Sequence, residues 1–141
     1  MANSATLIDS NIILDVLTED ATWATWSADA LSSAAREGVL VINPIVFAEI
    51  SAGFDSLEAV EAALPETIFR RDPLPYEAGF LAAKAFVAYR RAGGTRTAPL
   101  PDFYIGAHAL AAGHTLLTRD AARYRTYFPE LSIIAPDASR A

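Results

Sequence analysis

Short apolar runs alternate with longer segments of helical spacing along this chain, and that alternation restricts the fold more than any other feature. The runs predicted to be strands are residues 5–8, 39–42, 67–69, 115–117 and 132–134. Strands that alternate with helices build βαβ units, whose strands are parallel and whose helices cover both faces of the sheet. The sequence thus predicts a single α/β domain with a mostly parallel central sheet of about four to five strands.

The length and composition are those of one compact domain. With 141 residues, of which 52% are hydrophobic and 20% charged, the chain can bury a core and is too apolar to be disordered. We assign residues 1–135 to the domain and residues 136–141 to a polar C-terminal tail. The chain has no cysteine, no apolar run long enough for a membrane span and no signal-peptide pattern, so we expect a cytoplasmic protein.

The acidic balance restricts how the chain can interact with nucleic acid. A net charge of −6 and an isoelectric point of about 4.8 argue against a protein that coats nucleic acid nonspecifically. They remain compatible with a nucleic-acid enzyme whose carboxylates hold metal ions. The positions of the acidic residues therefore matter more than their number.

Several local signals predict where helices begin and which face they bury. Ser10 or Asn11 is expected to cap a first helix, and Asn43-Pro44 has the residues of another helix start. A long helix is predicted over residues 75–91, where apolar side chains recur at the spacing of a face that packs on a core. This apolar stripe consists of Tyr76, Phe80, Ala83 and Val87.

Carboxylates stand where a parallel sheet collects its ligands. Asp9 directly follows the first predicted strand, and Asp120 lies three residues after the fourth. Open α/β folds bind ligands at the carboxyl ends of their strands, so placing these two strands side by side brings both aspartates to one edge. Asp102 opens the helix that leads into the fourth strand, although spacing alone does not place that helix.

Glu49 is a fourth candidate because it lies on an otherwise apolar helix segment, where an unpaired carboxylate is costly. Each of the four acidic residues also has a purely structural interpretation. Asp9, Asp102 and Asp120 are in positions typical of helix caps or turns. For Glu49 the structural alternative is an ion pair with an arginine.

Four short motifs, in this order, resemble the successive motifs of PIN-domain ribonucleases, and most closely those of the toxins of VapBC-type toxin–antitoxin pairs. The motifs are Leu7-Ile8-Asp9-Ser10-Asn11, Phe47-Ala48-Glu49-Ile50, Leu100-Pro101-Asp102-Phe103-Tyr104-Ile105-Gly106-Ala107-His108-Ala109 and Leu117-Thr118-Arg119-Asp120. Each motif is short, but the resemblance extends over nearly the whole chain. It implies a PIN fold and an endoribonuclease that hydrolyses RNA phosphodiester bonds.

The resemblance implies one acidic pocket that binds Mg²⁺ or Mn²⁺ and carries out catalysis, formed by Asp9, Glu49, Asp102 and Asp120. Closely packed carboxylates repel one another, and hard divalent cations prefer oxygen ligands, so a cation offsets the repulsion. Such an ion activates water and stabilises charge on the phosphate. Whether one or two ions act stays open.

Other polar residues have weaker assignments. Asn11 and Thr118 are expected to orient a carboxylate or a bound water. Asp15 is either a peripheral ligand or a solvated side chain. Arg96 is the best candidate for an RNA contact, because its loop leads into Asp102. His108 lies six residues beyond Asp102 and is predicted to face away from it.

The resemblance also implies partners. Toxins of this family pair as dimers and bind an antitoxin protein across the acidic pocket, and we place that contact on Trp23, Trp26 and Leu31. The main alternative is an inactive PIN-like module that only binds a partner. A phosphatase of the haloacid-dehalogenase type is disfavoured because it needs a second aspartate where Asn11 stands. A receiver domain needs a late lysine, and the only lysine is Lys84.

Overall fold

A computed structural model describes residues 4–136, which form five strands connected by one or two helices each, seven helices in all. The strands are β1 (Ser4–Ile8), β2 (Gly38–Ile42), β3 (Phe69–Arg71), β4 (Thr115–Leu117) and β5 (Ile133–Ile134). The helices are α1 (Ser10–Leu17), α2 (Ala24–Glu37), α3 (Pro44–Ser51), α4 (Leu57–Ala63), α5 (Tyr76–Arg91), α6 (Pro101–Ala112) and α7 (Ala122–Tyr127). Apart from Pro136, the predicted tail lies outside the described residues.

The strands form one sheet in the order β3-β2-β1-β4-β5, and every neighbouring pair is parallel. The chain builds outward from β1 to β3 and then returns to the other side of β1 with β4 and β5. The order of the strands therefore reverses between β1 and β4, which is where open α/β sheets bind ligands. The predicted α/β class and parallel sheet are confirmed.

The central strand β1 is buried because its neighbours cover both of its edges. Leu7 pairs with Val41 of β2 on one side and with Leu116 of β4 on the other. Leu7 and Ile8 are fully buried, as expected for the near-continuous apolar runs of parallel strands that are covered on both faces. This placement fixes the position of Asp9, the residue that follows.

Two local predictions were wrong. The third strand covers Phe69–Arg71 rather than residues 67–69, because Phe69 pairs with Leu40 and Arg71 with Ile42. Pairing with β2 thus outweighs the local apolar pattern. Helix α1 begins at Ser10, so Asp9 holds the cap position and makes no capping bond.

Helix α5 buries a different face from the predicted one. Its buried residues are Ala78, Ala82 and Ala85. Its larger apolar residues face solvent, with Tyr76 100%, Phe80 61% and Val87 42% exposed. The small alanines allow α5 to pack closely on α6, its most extensive helix contact. The apolar stripe is therefore an exposed surface.

Helix α6 lies under the site and ends at Gly113, whose φ of 72° is in the left-handed region that favours glycine. Six of its residues are buried, among them Phe103, Gly106 and His108. In the described part of the chain, no helix is long and apolar enough to cross a membrane.

Two glycines within helices give a matched test of this packing. A Cβ atom on Gly106 would lie 2.7 Å from the ring of the buried Phe128 and 3.0 Å from the ring of Tyr124, whereas one on Gly79 meets nothing within 4 Å. We expect Gly79→Ala to raise the free energy of unfolding by about 1 kcal/mol through helix propensity. Gly106→Ala should lower it by about 1–2 kcal/mol, because overpacking outweighs that gain.

Urea unfolding of both variants, monitored by circular dichroism, measures these changes. A Gly106→Ala protein at least as stable as the Gly79→Ala protein would contradict the packing of α6 against Phe128 and Tyr124.

Candidate active site

The site forms where β1 and β4 end side by side. The backbone N–H of Asp9 donates to the carbonyl of Leu117 at 2.9 Å, which continues the β1–β4 pairing by one residue. The Thr118 hydroxyl then donates to Oδ2 of Asp9 at 2.8 Å. Asp9 is only 4% exposed and Thr118 is fully buried. The carboxylate is thus held at the edge where the strand order reverses.

Asn11 and Thr118 form a compact hydrogen-bond network around Asp9. The Asn11 amide nitrogen donates to Thr118 Oγ1 at 3.3 Å and to Asp9 Oδ2 at 3.4 Å. Its amide oxygen accepts from the backbone N–H of Arg119 at 3.1 Å, and Thr118 Oγ1 accepts from the N–H of Asp120 at 3.1 Å. The structure therefore places both predicted orienting residues between Asp9 and Asp120.

Tyr124 also contacts Asp9, a contact that the sequence analysis did not predict. Its hydroxyl donates to Asp9 Oδ2 at 2.9 Å from a side chain that is 1% exposed. Tyr124 lies on α7 in a segment with other aromatic residues, so its pattern is that of an ordinary core residue. Only the tertiary position of α7 brings this hydroxyl to the carboxylate.

Glu49 reaches the site from α3 and is held by Ser10. The Ser10 hydroxyl donates to Oε1 of Glu49 at 2.8 Å. Ser10 was predicted as a helix cap, but its side chain bridges α1 and α3 instead. The arginine ion pair considered for Glu49 is not found among residues 4–136.

Asp9, Glu49 and Asp102 are close enough to repel one another. Burial, together with the charges of Asp102 and Glu49, raises the pKa of Asp9 to about 6, although the Thr118 and Tyr124 hydrogen bonds act in the opposite direction. Burial and the charge of Asp102 also raise the pKa of Glu49, against the hydrogen bond from Ser10. The arrangement is electrostatically unfavourable without a counter-charge.

The four carboxylates do not converge on a single point. Asp102 turns toward Arg123, whose Nη1 lies 3.1 Å from its Oδ2, and the two side chains are 34% and 43% exposed respectively. Asp120 is exposed at the rim. Among the described residues, no three of the four carboxylates bring oxygens within 4.8 Å of one another. Mutual repulsion and the ion pair with Arg123 account for this spread.

Asp15 is neither a peripheral ligand nor a solvated side chain. It is 3% exposed and pairs with Arg119 through two hydrogen bonds, of 2.8 and 3.0 Å. The Ser27 hydroxyl donates to the same carboxylate at 2.7 Å, and the Arg119 guanidinium lies over the ring of Trp23 at 5.5 Å. These contacts tie α1 and α2 to the loop that carries Thr118 and Asp120.

The donor set fits a hard divalent cation. Oδ2 of Asp9 is filled by its hydrogen-bond donors, but Oδ1 accepts no hydrogen bond from residues 4–136. The charged groups next to it are carboxylates, and Mg²⁺ or Mn²⁺ bind such oxygen ligands together with water. A cation here would relieve the repulsion that raises the pKa values of Asp9 and Glu49.

A second group of potential ligands lies elsewhere and fits a metal less well. Asp72, His108 and His114 place one atom each within 4.8 Å of the others. Asp72 already accepts two hydrogen bonds from Arg70, at 2.8 and 2.9 Å. His108 Nδ1 lies 2.9 Å from the side-chain nitrogen of Asn43, whose oxygen caps α3. The Asn43 nitrogen donates to His108 Nδ1, so the proton of the neutral ring is on Nε2, and a metal ligated by His108 would have to displace this contact. His114 Nε2 is buried without a hydrogen-bond partner among the described residues. We interpret the cluster as structural.

Arg96 lies in the exposed loop before α6, and its carbonyl accepts a hydrogen bond from Arg90 at 2.8 Å. No contact joins its guanidinium to the acidic residues within the described part of the chain. The arginine that does reach a site carboxylate is Arg123. No sequence signal predicted this contact, because Arg123 and Asp102 are 21 residues apart and the position of α7 brings them together.

Solved structures with the same fold include VapBC2 from Rickettsia felis bound to a DNA fragment from its promoter, with a TM-score of 0.72 at 18% identity over 94% of this chain and 99% of that chain. VapBC-1 from nontypeable Haemophilus influenzae has a TM-score of 0.71 at 18% identity over 93% and 97%. FitAcB from Neisseria gonorrhoeae has a TM-score of 0.65 at 18% identity over 92% and 96%.

Comparison with the sequences of curated proteins gave no match. The sequence profile of the PIN domain, by contrast, matches residues 6–129. That range includes the last three residues of β1, the strands β2 to β4, all seven helices and every residue of the acidic site. The match covers most of the chain and agrees with the parallel sheet and the carboxylates at its edge, so this protein belongs to the PIN-domain family.

Proposed function

We propose that this chain is a divalent-metal-dependent endoribonuclease that acts in the cytoplasm as the toxin of a toxin–antitoxin pair. The observation that carries the proposal is the buried Asp9 at the β1–β4 edge, with one oxygen free and the charges of Glu49 and Asp102 beside it. Such a group of carboxylates is costly to fold, and a bound cation explains why it is kept.

The fold neighbours support the biological setting. The Rickettsia, Haemophilus and Neisseria structures have nearly the same length as this chain, and the first two are VapBC proteins. A further neighbour is a toxin–antitoxin complex from Klebsiella pneumoniae, with a TM-score of 0.63 at 20% identity. A PIN domain of this size with a complete set of site carboxylates fits the toxin of such a pair.

Asp9, Glu49, Asp102 and Asp120 are the residues that would hold Mg²⁺ or Mn²⁺ in the proposed reaction, and the exposed Asp120 would also contact water. When bound, the ion would supply Lewis acidity and lower the pKa of water. Through their hydrogen bonds, Asn11 and Thr118 hold the Asp9 carboxylate and the Asp120 backbone at a fixed distance from each other. Asp120 is exposed and lies beside this network, so it is suited to orient the attacking water toward phosphorus.

An acidic chain needs local cations to approach an RNA backbone, and Arg123 is placed to provide one. It is the arginine paired with Asp102, and it is 43% exposed. If Asp102 held a cation, its carboxylate would be less available to Arg123, and the guanidinium could then contact a phosphate oxygen. Arg96, on the loop before α6, remains a further candidate for an RNA contact.

The exposed stripe on α5 supports a homodimer. An exposed apolar surface of this kind marks an interaction site. Two copies of α5 packed antiparallel about a two-fold axis near residue 84 place Glu77 of one copy beside Arg91 of the other, and both residues are exposed. The same arrangement brings Phe80 opposite Val87, with the small Ala83 near the crossing point. The Glu77–Arg91 pairs are complementary at both ends of such a helix pair, whereas the two exposed Lys84 side chains face each other near the axis.

Trp23, Trp26 and Leu31 remain our proposed contact for the antitoxin. Trp26 and Leu31 are half-buried against the core, and Trp23 packs edge-on against Trp26 at 6.3 Å. Trp23 also covers Arg119, so a partner bound there would lie close to the loop of Asp120. An inactive module that only binds a partner is the remaining alternative, and an activity measurement separates the two.

Removal of the Asp9 charge tests the enzymatic proposal. Purified chain, freed of any antitoxin, should cleave members of an RNA panel in Mg²⁺ or Mn²⁺ and none in EDTA. Asp9→Asn should lower the cleavage rate on the order of 100-fold or more, since several kcal/mol of charge stabilisation depend on the ion. Glu58→Gln, on the exposed first turn of α4, is the matched control and should keep full activity. If the wild-type chain cleaves no RNA of the panel, the ribonuclease proposal fails and the inactive binding module is the alternative that remains.

The pH dependence of stability tests the acidic pocket without any substrate. Burial raises the pKa of Asp9 in the folded chain to about 6, from its ordinary value of 3.8. This carboxyl therefore favours the folded state below about pH 4, and that contribution disappears as the pH rises through 6. In EDTA, the wild type should lose about 3 kcal/mol relative to Asp9→Asn between pH 4 and pH 7.5.

Urea unfolding of both proteins across this pH range provides the comparison, because other titrating groups cancel in the difference. Adding Mn²⁺ at pH 7.5 should stabilise the wild type and leave Asp9→Asn unchanged. A stability difference that does not vary with pH would mean that Asp9 is not buried among other carboxylates.

The dimer proposal is tested by placing a charge on the stripe. Phe80→Glu should convert the chain to a monomer in sedimentation equilibrium, because it buries a carboxylate in an apolar interface. Leu57→Glu is the control, since Leu57 is also a large exposed apolar residue, at 63%, but lies on α4. If both variants sediment as the wild type does, α5 is not the interface.

A further inference from the structure

The hydroxyl of Tyr124 calls for an explanation that core packing does not give. The ring fits against Gly106 on α6, and the whole residue is 1% exposed. Phenylalanine would fill the same space without burying a polar group, which is costly unless it is hydrogen-bonded. Among residues 4–136 the hydroxyl has one hydrogen-bond partner, Oδ2 of Asp9 at 2.9 Å.

That contact completes the set of donors on a single carboxylate oxygen. Thr118 Oγ1 at 2.8 Å and Tyr124 at 2.9 Å supply two short hydrogen bonds to Oδ2, and the Asn11 amide adds a longer one at 3.4 Å. A carboxylate oxygen offers about two lone-pair sites, so Oδ2 has no capacity left for a cation. Oδ1 accepts no hydrogen bond in the described part of the chain.

We propose that Tyr124 is a positioning residue for metal binding, because its hydroxyl fixes Oδ2 of Asp9 and so leaves Oδ1 as the single oxygen for the divalent cation. This inference rests on the proposed function and concerns the same site. Mg²⁺ demands near-ideal octahedral geometry, so a carboxylate whose orientation is fixed in advance loses less entropy on binding. Tyr124 itself does not touch the cation or the RNA.

The position of Tyr124 is rigid enough for this role. Gly106 provides the space for its ring on α6, and the ring of Phe128 lies against the same glycine. The Phe128 N–H donates to the Tyr124 carbonyl at 2.8 Å, which closes the last turn of α7 and keeps the two rings on one side of the helix end. The hydroxyl is therefore held by packing on α6, independently of the Thr118 loop that approaches Asp9 from β4.

The test compares Tyr124→Phe with Tyr127→Phe. Both tyrosines lie on α7, and the Tyr127 hydroxyl makes no hydrogen bond among the described residues. Isothermal titration of the full chain with Mn²⁺, at neutral pH, should give a Kd about tenfold higher for Tyr124→Phe and an unchanged Kd for Tyr127→Phe. RNA cleavage by Tyr124→Phe should recover most of its rate as Mn²⁺ is raised.

The outcomes separate the inference from the proposed function. If Tyr124→Phe binds Mn²⁺ within twofold of the wild type, the hydroxyl is only a satisfied core group and the inference is overturned, whatever happens to the unfolding midpoint. If the wild type binds Mn²⁺ but cleaves no RNA, the proposed function fails while the role of Tyr124 in metal binding is still measured. If the wild type binds no Mn²⁺, both fail.

Discussion

The burial of one carboxylate, Asp9, is the constraint on which the rest of the site depends. Its position follows from β1, whose apolar residues place the next residue at the centre of the sheet, beside the end of β4. A charge in that place is costly, so the chain surrounds Oδ2 with hydroxyl and amide donors. The remaining oxygen and the neighbouring carboxylates are where we propose that a cation binds.

The supports of Asp9 come from distant parts of the chain. Thr118 approaches from β4, Asn11 from α1 and Tyr124 from α7. A second layer, the Asp15–Arg119 ion pair, joins α1 and α2 to the same loop, with Asp15 buried and Arg119 partly exposed. Removing Arg119 would leave the buried Asp15 carboxylate without its cation, which is destabilising. This pair is therefore suited to fix the loop that carries Thr118 and Asp120.

Much of this architecture is predictable from the sequence. The apolar runs before Asp9 and Thr118 are long enough to identify β1 and β4, and parallel pairing brings their ends together. The short β3 is two residues out of place, because its arginines are tolerated by pairing with β2. The predicted buried face of α5 is also wrong, because three alanines pack closely on α6 while larger apolar residues remain exposed. The spacing of apolar residues alone does not tell whether a helix face is buried in the core or exposed.

The residues of the site also divide into those that the sequence predicts and those that it does not. Asp9, Asn11 and Thr118 are predictable because they adjoin strand ends. Tyr124 and Arg123 are not, because they reach the site only through the tertiary placement of α7. The ion pairing of Asp15 is likewise unpredictable, since its partner Arg119 lies more than a hundred residues away. Short motifs identify the carboxylates, whereas packing determines which groups orient them.

The central claim is that a divalent cation binds at Asp9 through the oxygen that the protein leaves free. Anomalous diffraction from crystals soaked in Mn²⁺ measures this directly. We expect an anomalous peak about 2.0–2.2 Å from Oδ1 of Asp9, with Oδ2 still hydrogen-bonded to Tyr124 and Thr118. A peak at Asp72, His108 and His114, with none at Asp9, would contradict it.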